Sequence, residues 1–75
     1  MALLEDLADS LSADVFQAMK ATGDDRLYER VALSIGALSP SMEEAFLTSI
    51  RLRLAEQRGR QFLIQELTRM QGSQS

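Results

Sequence analysis

The chain has 75 residues, with eight Lys plus Arg against eleven Asp plus Glu, 45% hydrophobic and 25% charged content, and no His, Cys or Trp. These are the proportions of one globular domain, not of a disordered chain, and the length excludes a Rossmann unit with a substrate domain, a barrel or a two-lobed enzyme. Disulfides, thiol nucleophiles, imidazole bases and zinc sites of the usual Cys/His kind are excluded as well.

Three helical stretches follow one another. The first runs from about Ala2 to Thr22 and ends at Gly23, a natural residue for leaving a helix. Its apolar positions Leu4, Leu7, Leu11, Val15, Ala18 and Met19 are spaced by threes and fours. Ser10 and Ser12 are mediocre helix residues, so an interruption is allowed there. Asp24 and Asp25 open the second helix at the positive end of its dipole. Its face is Leu27, Tyr28, Val31, Ala32, Ile35 and Leu38, with Gly36 placed for close approach of a neighbouring helix.

Ser39-Pro40-Ser41-Met42-Glu43-Glu44 starts the third helix. Either Ser39 caps it with Pro40 in the first position, or Ser41 and Glu44 form a capping box. A helix from here to about Gln71 would be roughly 45 Å long, more than a compact body of this size is wide. At 100° per residue from Met42, the positions Phe46, Leu47, Ile50 and Leu54 fall at about 40–140°. Leu63, Ile64, Leu67 and Met70 fall from about 280° round to 40°, and Phe62 near 200°. Either the helix breaks at Gly59, or one long helix meets different partners along its length. The expected fold is therefore all-α: a small bundle of three helices, or four if Gly59 breaks the last, with a long C-terminal helix. It forms a single domain over 1–71, with a frayed polar tail over 72–75.

Burying each large apolar side chain is worth about 1.5–3 kcal/mol. Three short helices have too little surface to cover the whole C-terminal set. A second subunit would supply it, with the C-terminal halves packed antiparallel. Phe46, Ile50, Leu54, Phe62, Leu63, Ile64, Leu67 and Met70 are the expected interface, and Phe16, which stands off the first stripe, is a lesser candidate. Charge is uneven: residues 1–30 hold seven acids and three bases, whereas 41–75 hold four acids and five arginines. That polarity chooses orientation more than it adds affinity.

Three other chemistries are testable on the sequence. Asp9-Ser10-Leu11 resembles the carrier-protein motif whose serine receives a phosphopantetheine arm. In that family a full helix and a long loop precede the serine, and nine residues cannot hold both. The second helix, the Ser39-Pro40 turn and the third helix resemble a helix-turn-helix. Val31 to Pro40 with Glu44-Ala45-Phe46-Leu47 is similar to the entry of a sigma-factor DNA-binding region. Against nucleic acid stand Glu43 and Glu44 at the start of the recognition helix and the net charge of −3. Arg51 and Arg58 share one helix side and Arg53 and Arg60 nearly the opposite one, which makes two thin stripes and no single patch. Glu5, Asp6 and Asp9 head a helix, where acids are favoured by the dipole without any site.

The expected function is a non-enzymatic protein–protein interaction module, a small bacterial adaptor or regulator acting as a homodimer and binding another protein. A DNA-binding regulator of helix-turn-helix type is the alternative. No cofactor and no metal are expected. The N-terminus, Met1-Ala2-Leu3-Leu4-Glu5-Asp6, lacks the pattern of a signal peptide, and no run suits a membrane span. The cytoplasm is the expected location.

Overall fold

The computed structural model describes residues 2–72. They form three helices, α1 (Leu3–Thr22), α2 (Leu27–Gly36) and α3 (Pro40–Gly72). The polar tail expected to fray lies, apart from Gly72, outside the described residues. Among the described residues, no helix is long and apolar enough to cross a membrane.

Helix α1 is continuous through Ser10 and Ser12, so the interruption allowed by those serines does not occur. It ends where expected: Gly23 has φ 77°, and its N–H donates to the Met19 carbonyl at 2.8 Å. Only glycine adopts that left-handed conformation without a Cβ clash. The turn is tied further by Asp24, whose carboxylate accepts the Arg26 N–H at 3.2 Å and pairs with the Arg30 guanidinium.

Of the two N-terminal readings for α3, the structure uses the first. Ser39 Oγ accepts the Met42 N–H at 3.1 Å, the Ser39 carbonyl accepts the Glu43 N–H at 3.0 Å, and Pro40 takes the first helical position. Gly36 faces this first turn, and the Glu43 carboxylate occupies the space where a Cβ would lie. Leu38, expected on the face of α2, instead sits in the turn beyond it and is 93% exposed. Helix α2 ends two residues earlier than the apolar spacing implied because the chain must reverse into the Ser39 cap.

Helices α1 and α3 run parallel: Asp9 and Ser12 meet Ser49 and Arg53, while Phe16 and Met19 lie beside Leu54 and Gln57. Helix α2 runs against both, with Leu33 beside Glu43 and Leu47, and Tyr28 beside Leu54 and Gln61. The core is small. Ala8, Val15, Met19 and Ala32 surround Phe46 and Ile50, which are 0% exposed. On α1 the buried line is Ala8, Ser12, Val15 and Met19, while Leu7 points outward. Small side chains at positions 8 and 12 let α1 lie close to α3, and that close contact decides the rotation of α1.

Helix α3 does not break at Gly59. At 1.5 Å per residue its 33 residues span about 50 Å, whereas the 20 of α1 span about 30 Å. The last third of α3 therefore leaves the other helices behind. The radius of gyration is 16.0 Å, against about 11 Å for a compact chain of this length.

Candidate functional site

The direction in which α3 projects is set by a polar clamp between α1 and α3. Arg53 donates from Nε to Ser12 Oγ at 2.9 Å and from Nη2 to Asp9 Oδ1 at 2.8 Å. Ser49 Oγ donates to the same carboxylate oxygen at 2.7 Å and lies 2.6 Å from Ser12 Oγ. Each hydroxyl has one proton. With the Ser49 proton on Asp9, the Ser12 proton is left for Ser49 Oγ, and the four groups close a ring. The Asp9 carbonyl, 3.0 Å from Ser12 Oγ, competes for that last proton. Ser12 is fully buried, and among the described residues no buried side-chain polar atom lacks a partner. The Ser49 hydroxyl, and after it the Arg53 guanidinium, hold the Asp9 carboxyl below its ordinary value of 3.8. Such a ring demands one register, because a slip by one turn would orphan Ser12.

Beyond the clamp, α3 becomes an arm. Phe62, Leu63, Ile64, Leu67 and Met70 are each between 47% and 63% exposed. The protein presents 5680 Å² of accessible surface at 8.3 kDa, where a compact monomer of that mass presents about 4,600 Å². The excess is on the order of 1,000 Å², as expected of an elongated shape measuring 57 × 28 × 14 Å. Charged side chains flank the apolar ones in local pairs, Arg60 with Glu56 and Arg69 with Glu66.

The eight expected interface residues divide into two groups. Phe46 and Ile50 are the centre of the protein's own core, and Leu54 packs on its edge. Phe46 and Ile50 are therefore not part of an intermolecular surface, because α1 and α2 cover that side of α3, and Leu54 is half-buried against the same side. Phe62, Leu63, Ile64, Leu67 and Met70 lie together on the arm and face solvent. Phe16, the lesser candidate, leans on the core edge with the Lys20 ammonium 4.9 Å from its ring centre.

One residue escaped the sequence reading. Leu52 is 66% exposed although it sits in the half of α3 that packs on α1 and α2. It precedes Leu63 by eleven residues and Met70 by eighteen, about three and five turns. Leu52, Gly59, Leu63 and Met70 thus mark one line along a straight helix, within roughly 40°. A helical count from Met42 extended to Leu52 would have found it.

The remaining chemistries are accounted for residue by residue. Arg53 is held in the clamp and Arg60 is paired on its own helix, while among the described residues Arg51 and Arg58 form no ion pair. Asp9 bonds to Ser49 and Arg53 of α3, and Glu5, one turn before it, lines the same shallow surface cavity; among the described residues no three acidic side chains are grouped to hold a metal ion. Ser10 lies inside α1, with no helix start near it. No protein family matches the chain, and neither a curated protein nor a solved structure similar to it is found.

Proposed function

We propose that this protein is a non-enzymatic interaction module, a small adaptor or regulator built as a three-helix bundle with a projecting arm, and that it acts as a homodimer through that arm. The observation that supports the reading is the run Phe62–Met70: five large apolar side chains on one projecting helix, each about half exposed. Leu63, Leu67 and Met70 share one side of the arm, with Phe62 and Ile64 to either side of it, an exposed apolar surface of the kind that marks contact sites. Asp9 and Arg53 are tied in the clamp, and Arg60 and Arg69 are paired along their own helix. A helix with an apolar face is a standard element for pairing with, or docking into, another helical surface.

Sedimentation of the wild type beside Leu63→Asp tests the reading. The wild type is expected at twice the 8.3 kDa chain mass at micromolar concentration, and the variant as a folded monomer. Affinity capture from the native host with the same pair identifies any further partner by its loss from the variant. A wild type that sediments as a folded monomer and captures the same proteins as Leu63→Asp overturns the proposal.

A further inference from the structure

We infer that, in the homodimer, the arm of one copy lies antiparallel along the Leu52 side of α3 in the second copy, with the two helices crossing at Gly59. This rests on the proposed self-association and adds its register and the surface that receives the arm.

Area is the first argument. Only part of the arm's roughly 500 Å² of apolar surface can meet one neighbour, since Phe62 and Ile64 point away from the Leu63–Met70 side, while a stable interface buries about 800 Å² per partner. The contact must therefore extend past the arm onto the body. Leu52 is the large apolar side chain exposed on that part of α3, and it lies on the same line as Leu63. Antiparallel overlap centred on Gly59 places Leu52 of each copy between the levels of Leu63 and Leu67 in the other. That is how knobs fit holes between paired helices.

Glycine supplies the second argument. Gly59 is exposed, and apart from the backbone of its own helix and its chain neighbours nothing comes within 4 Å of where a Cβ would be. In an exposed helix it lowers stability with no return inside the protomer. At a crossing point it lets two backbones approach closely.

Charge separates the two orientations. Residues 58–72 carry Arg58, Arg60 and Arg69 against Glu66, while α1 carries Glu5, Asp6, Asp9 and Asp14 against Lys20. A parallel pairing sets the two basic arms side by side. The antiparallel one brings each arm over a body whose first helix is acidic, an arrangement that fixes orientation.

The chain has no cysteine, so introduced cysteines give a clean readout. In the full-length protein, mild oxidation of the double variant Ala55→Cys with Leu63→Cys, whose positions face each other across the crossing, is expected to yield a covalent dimer. Leu67→Cys is not, because its two copies would stand about 24 Å apart along the helices. Leu52→Glu, which circular dichroism should show to be folded, is expected to weaken dimerisation about tenfold or more. If Leu67→Cys cross-links and Leu52→Glu dimerises like the wild type, the arms pair with each other alone; the inference falls and the interaction reading stands. If the wild type sediments as a monomer, both the inference and the homodimer fall.

Discussion

The guanidinium of Arg53 touches two residues one turn apart on α1, Asp9 at 2.8 Å and Ser12 at 2.9 Å. A forked donor on one helix thereby measures the pitch of its neighbour. The contact holds α3 parallel to α1 at one height, and the length of arm that escapes the body follows from that height. Replacing a fork by a point charge would not preserve it.

Ser12→Ala is expected to destabilise the fold by about 1–2 kcal/mol, because it leaves the Arg53 Nε–H and the Ser49 hydroxyl short of a partner. Urea denaturation of variant and wild type at one protein concentration checks this. Arg53→Lys should be destabilising as well, since an ammonium cannot serve Asp9 and Ser12 in the same geometry.

Acid should weaken the clamp. The folded Asp9 carboxyl titrates below 3.8, through its bonds with Ser49 and then Arg53; Asp24 does so through Arg30 and then the Arg26 N–H. Both groups contribute stability that is present above the ordinary carboxylate value and is lost as pH falls through the lowered folded one. Thermal melting across the acid range is expected to show a shallower fall for Asp9→Asn than for the wild type. An equal fall would remove Asp9 from the account.

Two phenylalanines on one helix should behave oppositely. Phe46→Ala empties the centre of the core and should destabilise by about 3–5 kcal/mol, enough to unfold a domain this small. Phe62→Ala should change the stability of the dilute protein by less than about 0.5 kcal/mol. The proposed homodimer implies that the melting temperature of the wild type rises with protein concentration and that of Leu63→Asp does not.

Two glycines should also differ in sign. Gly23→Ala forces a Cβ into the left-handed region at φ 77° and should destabilise by about 1–2 kcal/mol. Gly59→Ala meets no neighbour in the protomer and should stabilise the helix by about 1 kcal/mol. The cleanest background for that measurement is Leu63→Asp, where the proposed dimer contacts do not enter.

Local chemistry made much of this protein legible before any coordinates. The three helices, the exit at Gly23 and the start at Ser39-Pro40 follow from backbone preferences of single residues, and those preferences act wherever the chain goes. The rotation of the apolar stripe along α3 was legible too, because periodicity is a property of one helix. Which part of that stripe is core was not. Phe46 and Ile50 vanish inside while Phe62 and Leu63 remain outside because α1 is 20 residues long and starts level with the beginning of α3, a fact of packing height. The burial of Ser12 in place of Leu7 belongs to the same class: a serine reads as a surface or capping residue until a second helix brings it the partners that make its burial inexpensive.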